Sequence, residues 1–113
     1  MEQDTIAAIS TAVSNSGIGI IRISGKDAVA VADRVYRSKG GKKRLADQPT
    51  HTIHYGYIVD QGETVDEVLV MLMRGPKSFT AEDTVEVNFH GGVHALKRER
   101  DVVRNTVARP AEQ

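Results

Sequence analysis

The stretch from Lys77 to Gly92 constrains the fold most, because it combines a loop, a strand and a glycine turn that leads into a helix. Residues 84–89, Thr-Val-Glu-Val-Asn-Phe, favour a pleated strand. Gly91 and Gly92 then permit positive φ angles and leave the N–H groups of the next helix open to a ligand. The chain therefore has to bring a strand end and a helix start together at one point.

Glu86 lies in the middle of this strand, where a carboxylate needs either water or a partner. An acidic strand centre beside an N–H-rich turn suits a ligand that carries both hydrogen-bond donors and a carbonyl or anionic group. The other interpretation is a half-exposed edge strand with one solvated acid, and the residues alone favour it.

Arg22 interrupts a second apolar strand, Gly-Ile-Ile-Arg-Ile-Ser at residues 19–24. Its charge does not titrate away, so it must reach a carboxylate, an anion or water. Contact with a ligand or partner and snorkelling of the head group to the rim both remain open.

The composition of the chain limits the classes of function that it can have. The 113 residues fit one domain, residues 1–113, and 15 basic against 15 acidic residues give no net charge, which argues against a self-sufficient nucleic-acid binder. There is no cysteine, and the four histidines lack metal-ligand spacing, so we expect no metal site. No signal peptide or membrane-spanning run is evident, and we expect a cytoplasmic location.

The pattern predicts an α+β fold with a mixed five-stranded β-sheet and two or three helices. The residues around Gly17–Lys26 match neither the Walker A motif nor the dinucleotide-binding motif. A basic run, Lys39, Lys42, Lys43 and Arg44, lies in a loop that we expect to be mobile. Such a run is usually solvated, and phosphate binding is the alternative. The expected strands are 5–12, 19–24, 52–59, 65–73 and 84–89, and the expected helices are about 26–39 and 93–106.

Five phrases together resemble the N-terminal domain of the bacterial MnmE/TrmE family of tRNA modification GTPases. They span most of the chain and stand in the family's order. They are Asp-Thr-Ile-Ala-Ala-Ile-Ser-Thr at 4–11, Gly-Ile-Ile-Arg-Ile-Ser-Gly at 19–25, His-Thr-Ile-His-Tyr-Gly at 51–56, Pro-Lys-Ser-Phe-Thr at 76–80 with Glu82 and Asp83, and Glu86 with His90-Gly91-Gly92.

The resemblance implies a fold similar to the folate-binding fold of aminomethyltransferases. It implies a homodimer that binds a tetrahydrofolate derivative, 5-formyl- or methylene-tetrahydrofolate, with Arg22 and Glu86 among the folate contacts. It also implies that the whole family protein acts with a flavin-containing partner on C5 of the wobble uridine of tRNA. The helical domain and the GTP-binding domain, to which GTP, Mg and K belong, are absent from this chain, so we expect no activity from it alone and assign no catalytic residue.

The tail departs from the family, because the charged residues 97–101 stand where the family's helix is more apolar. Residues 106–113 also lack the family's later folate-contacting Lys. A structural dimerisation module, or a truncated fragment without a complete folate pocket, is therefore the alternative function. A third interpretation is a stand-alone enzyme that uses His90 and Glu86 as acid and base.

Overall fold

The computed structural model describes residues 8–13, 18–75, 82–89 and 92–108. These residues form one antiparallel sheet of six strands, two α-helices and a short 3-10 helix, Leu45–Asp47. The strands are β1 (Ala8–Val13), β2 (Gly19–Ser24), β3 (Tyr36–Arg37), β4 (Thr52–Asp60), β5 (Glu63–Met73) and β6 (Thr84–Phe89), and the helices are α1 (Ala28–Val35) and α2 (Gly92–Ala108).

The strand order β1-β2-β6-β5-β4-β3 places β6 and β5 at the centre of the sheet. Alternate residues of the strands point towards α1 and α2 and form an aliphatic core, as period-two patterning requires. The strand residues of this core are Ile21, Ile23, Tyr36, Ile58, Val68, Val70, Leu72, Val85, Val87 and Phe89, and the α-helices add Ala28, Val29, Val31, Ala32, Val35, Val102 and Val103. The helices therefore cover one face of the sheet.

The α+β class is confirmed, but the expected mixed, five-stranded sheet is wrong. Every pair of neighbouring strands is antiparallel, and a sixth strand, β3, pairs with β4 through Tyr36 opposite Ile58. The order of elements along the chain does not fix strand direction. Here α1 leads to a short edge strand rather than to a parallel neighbour of β2.

Helix α1 ends at Val35, well before the expected stop at the glycines 40 and 41. Tyr36 adopts an extended conformation, with φ −93° and ψ 140°, and its hydroxyl donates to the carbonyl oxygen of Tyr55 at 2.7 Å. A Cβ on Gly56 would lie 2.5 Å from the Tyr36 ring, so this glycine allows the ring to lie flat against β4. Burial of the tyrosine thus outweighs the helical pattern that continues past it.

Gln61 and Gly62 make the tight turn between β4 and β5, as predicted. Both have positive φ angles, 51° and 82°, which is the conformation of a type I′ hairpin turn. Neither of the two described α-helices is long and apolar enough to cross a membrane.

Candidate functional site

Arg22 and Glu86, the two residues that the resemblance nominates, lie directly opposite each other on neighbouring strands. The Nη2 atom of Arg22 donates to Oε2 of Glu86 at 2.8 Å. The Glu86 side chain is 10% exposed and the Arg22 side chain is 37% exposed. The sheet therefore brings the two predicted site residues into one partly buried ion pair.

The local sequence explains why both residues point the same way. Ile21 and Ile23 on β2, and Val85 and Val87 on β6, are buried beneath the helices. The residues between them must face the other side of the sheet. We call this side the open face; in the described residues it carries the ion pair and, further along, Met71, Leu69, Tyr55 and Ile53.

The ion pair corrects one interpretation of Glu86. The acid lies on a central strand between β2 and β5, not on an edge strand, and it is not a lone solvated acid because Arg22 is its partner. A pair this close and largely shielded on one side is stronger than an exposed surface pair. The role of the two residues in ligand binding stays a prediction.

Apolar and aromatic side chains continue the open face towards β4. Ile53 is 64% exposed, Leu69 42% and Tyr55 40%, and Leu69 lies directly opposite Tyr55. The Tyr55 hydroxyl donates to the Glu67 carboxylate, and this bond raises the pKa of Tyr55 above its ordinary value. Large exposed side chains on one sheet face are unusual for a surface that only meets water.

His51 and His54, the two histidines whose side chains the structure describes, have separate surroundings. His54 is buried on β4, within hydrogen-bond distance of Thr52 and Lys43, and burial followed by the positive charge of Lys43 lowers its pKa. His51 lies before β4 with φ 62° and contacts Thr50. Among the described residues no three carboxylate or imidazole side chains could hold a metal ion together. His90, which the acid–base interpretation pairs with Glu86, lies outside the described residues, as do Gly91 and the phrase at 76–80.

Two cavities lined by described residues lie away from the ion pair. One, of about 280 Å³, lies between the end of α1, the β4–β5 turn and α2, and Arg34, Asp60 and Thr106 line it. The other, of about 300 Å³, lies beside the loop that follows β3, and Arg37, Lys43 and Arg44 line it with Asp33 and Tyr36. This second cavity borders the basic run that the sequence singles out.

One buried acid was not predicted from the sequence. Glu99 on α2 is completely buried, although it belongs to the charged segment 97–101. Burial, and then a hydrogen bond with Asp66 and repulsion by it, raise the pKa of Glu99 to about 9. The signal was its helical spacing: Glu99 falls three residues after Leu96 and four before Val103, both of which pack on the core.

Comparison with known proteins decides the family. The profile of the family described as GTP-binding protein TrmE N-terminus matches residues 5–113. The chain belongs to the TrmE N-terminal family. This membership confirms the resemblance inferred from the five phrases.

Relatives of this TrmE N-terminal chain carry the description tRNA modification GTPase MnmE. The protein of Lachnoclostridium phytofermentans is 50% identical over 112 residues, which cover 99% of this chain and 24% of the relative. That of Geobacillus kaustophilus is 53% identical over 113 residues, or 98% of this chain and 24% of the relative. The chain thus spans about a quarter of the length of the relatives it matches.

Proposed function

We propose that this chain is the tetrahydrofolate-binding and homodimerisation domain of a tRNA modification GTPase. The whole protein would act in the cytoplasm with a flavin-containing partner on C5 of the wobble uridine of tRNA, and GTP, Mg and K would bind to its other domains. The tRNA modification part of the proposal rests on the family and on the printed description of its relatives. The folate part rests on the Arg22–Glu86 pair of the open face.

The ion pair supports the proposal because its two groups fit a pteridine. The edge of a pterin presents adjacent N–H donors, and a carboxylate accepts two such bonds. Arg22 holds the Glu86 carboxylate at 2.8 Å, so this acceptor is oriented before a ligand arrives. Glu86 would accept from the pterin, and Arg22 would orient Glu86 and contact a folate carbonyl or carboxylate through its planar guanidinium.

The side chains beside the pair suit a flat ring system. Met71 lies directly opposite Glu86 in the register of β5 and β6, and Met is an adaptable contact for aromatic surfaces. A bound folate would supply the one-carbon unit of the modification, and the residues of this chain would only bind and orient it. The similarity to the folate-binding fold of aminomethyltransferases belongs to the same proposal.

The test is a thermal-shift titration with 5-formyltetrahydrofolate, backed by calorimetry. A ligand selective for the folded state must raise the melting temperature, and at 100 times its Kd the gain is about 2.7 kcal/mol. We expect this shift in the wild-type protein and its loss in the Glu86→Gln and Arg22→Met variants. Glu86→Gln keeps the shape of the side chain and removes the charge.

The pair between Arg98 and Glu63 provides the matched control. Its two atoms are 2.7 Å apart, about as close as those of the Arg22–Glu86 pair, but it links α2 to the exposed start of β5. Glu63→Gln and Arg98→Met should respond to folate as the wild type does. If the Glu86 and Arg22 variants also bind folate with unchanged affinity, the folate assignment is refuted.

The exposed apolar residues of the open face favour a second candidate function, a structural dimerisation module without a complete folate pocket. A stable interface usually buries about 800 Å² on each partner and has an apolar core. Ile53, Tyr55 and Leu69 are the side chains of the described residues that best fit such a core. Light scattering should show a dimer that Leu69→Glu weakens at least tenfold, while Glu63→Gln at the exposed start of the same strand leaves it unchanged. A dimer with no folate response would favour this module, and a monomer would refute both dimer proposals.

A further inference from the structure

One segment concentrates positive charge in an otherwise neutral chain. We call residues 37–44, Arg-Ser-Lys-Gly-Gly-Lys-Lys-Arg, the basic loop. It holds five of the 15 basic residues of the chain and no acidic residue. Arg37, Lys39, Lys42 and Arg44 are exposed. Such a local excess creates a positive potential that the zero net charge of the chain conceals.

Hydrogen bonds hold the backbone of the basic loop within itself and where it meets the 3-10 helix, and the mobility expected from the sequence stays a prediction. The Asp33 carboxylate accepts hydrogen bonds from the N–H groups of Leu45 at 2.6 Å and Ala46 at 2.9 Å. Within the loop, the N–H of Lys43 donates to the Ser38 hydroxyl at 3.1 Å. Leu45, fully buried, anchors the 3-10 helix that follows. The cations are therefore carried by a hydrogen-bonded backbone, and such bonds reduce the entropy that a loop loses on binding.

No acid of the described chain forms an ion pair with the basic loop. Asp33 is the acid that lines the adjacent cavity, and its two oxygens are occupied by the backbone N–H groups of Leu45 and Ala46. The Arg37 guanidinium donates to backbone carbonyl oxygens, including that of Tyr36 at 2.7 Å, and these bonds leave its charge in place. The loop charge also acts on its surroundings, since Lys43 contributes to the lowered pKa of His54.

The loop charges stand beside a cavity of about 300 Å³ that Arg37, Lys43 and Arg44 line. A concave surface with cations on its rim fits a phosphate group and its neighbours along a chain better than a flat protein surface does. The six residues from Lys39 to Arg44 extend over at most about 20 Å. That length matches several successive phosphates of a nucleic-acid strand, which follow one another every few Å.

We propose that the basic loop binds the phosphate backbone of the RNA substrate. The inference rests on the proposed function, because that function makes tRNA the substrate. It concerns a different surface from the Arg22–Glu86 pair. The loop carries Lys and Arg without aromatic side chains of its own, so it would position the RNA without reading its sequence. Because it offers at most five phosphate contacts, binding by this chain alone would be weak, on the order of 10–100 µM at physiological salt.

The test measures fluorescence anisotropy of a labelled, unmodified tRNA transcript against the whole chain, from 50 to 300 mM KCl. The loop variant is Lys39→Ala/Lys42→Ala/Arg44→Ala. The control is Lys26→Ala/Lys97→Ala/Arg104→Ala, which removes the same charge from exposed residues of the α1 start and of α2. Circular dichroism and the melting temperature of both variants show whether the fold is kept.

The loop variant should bind the transcript at least tenfold more weakly at 50 mM salt. Each lost phosphate contact reduces the slope of log Kobs against log salt by about 0.7 to 0.9, so three lost contacts should flatten it by about 2 to 3. The control should change the affinity less than threefold. Equal losses in both variants, or an unchanged loop variant, would overturn the proposal, since binding would then depend on overall charge or on another surface.

The folate titration separates this inference from the proposed function. A loop variant that keeps the folate response and loses the transcript supports RNA binding by the loop. Unchanged transcript binding by the loop variant, with an intact folate response, overturns this inference alone. A folate-insensitive wild type whose transcript binding still depends on the loop overturns the folate proposal alone.

Discussion

Glu99 offers the sharpest test of the physical reasoning, because a buried carboxyl faces a second one. Glu99 on α2 is completely buried, and the titratable group that acts on it is Asp66 of β5. Neither Glu99 oxygen reaches a hydrogen-bond donor among the described residues. Two carboxyl groups bond to each other only when one of them carries a proton. Glu99 therefore keeps its proton in the folded state, and its pKa rises to about 9 from an ordinary 4.5.

The raised pKa makes the stability of the fold depend on pH. Between pH 4.5 and pH 9 the folded state holds a proton that the unfolded state releases, so the free energy of unfolding falls as pH rises. The stabilisation is complete below the unfolded pKa and is lost by the time the pH exceeds the folded one. At about 1.4 kcal/mol per unit, the interval from 4.5 to pH 7 corresponds to about 3 kcal/mol.

Glu99→Gln removes the titration and keeps the shape of the side chain. Its amide can donate to Asp66 at every pH, so we expect the variant to be about 2–3 kcal/mol more stable than the wild type at pH 7. At pH 5 the difference should shrink to below about 1 kcal/mol. Urea unfolding followed by circular dichroism, at half-unit steps from pH 5 to pH 9, measures both quantities.

The control is Glu63→Gln, because Glu63 is exposed and should leave the pH profile unchanged. Wild-type and Glu99→Gln profiles that run parallel from pH 5 to pH 9 would refute the reasoning. They would mean that Glu99 is ionised in the folded protein, and hence that water or a cation reaches it.

Three further substitutions test the packing. Gly56→Ala should cost about 1–3 kcal/mol in a urea titration, since the new methyl would lie 2.5 Å from the backbone oxygen of Arg37, and an unchanged midpoint would contradict the close contact. Leu45→Ala should cost about 3 kcal/mol in the same assay, because the side chain is fully buried, and a loss below 1 kcal/mol would mean that the basic loop is not anchored there. Arg22→Met should cost about 2 kcal/mol by stranding the Glu86 carboxylate, whereas Arg22→Met/Glu86→Leu should lose less; a double variant as unstable as the sum of its parts would show that the two charges do not interact.

Local patterning predicted most of the elements. The isoleucines of β2 and the valines of β6 alternate or run together as strands do, and the turn at Gln61-Gly62 has the residue types that its positive φ angles require. The two helices were placed correctly, but the end of α1 was not. The burial of Tyr36 against Gly56 depends on a strand twenty residues further along the chain, which no local pattern contains.

The residues of the candidate site were predicted from the sequence, but their pairing was not. The resemblance selected Arg22 and Glu86 by their place in two separate phrases, and the residue types showed that each charge needs a partner. That the partner of each is the other follows from the register of β2 and β6, whose connection spans some sixty residues. The burial of Glu99 was not predicted because its neighbours are charged, although its helical spacing from Leu96 and Val103 places it on the apolar side of α2.

The sequence by itself determined the family, the α+β class, the element types and the identity of the charged residues that need partners. These properties follow from short motifs and from local periodicity, so they depend only on residues that are close together in the chain. Only the tertiary structure decided the strand directions, the open face, the Arg22–Glu86 pair and the hydrogen bonds of the basic loop. Each of these depends on contacts between residues far apart in the chain, which form where burying the aliphatic core brings the strands and helices together.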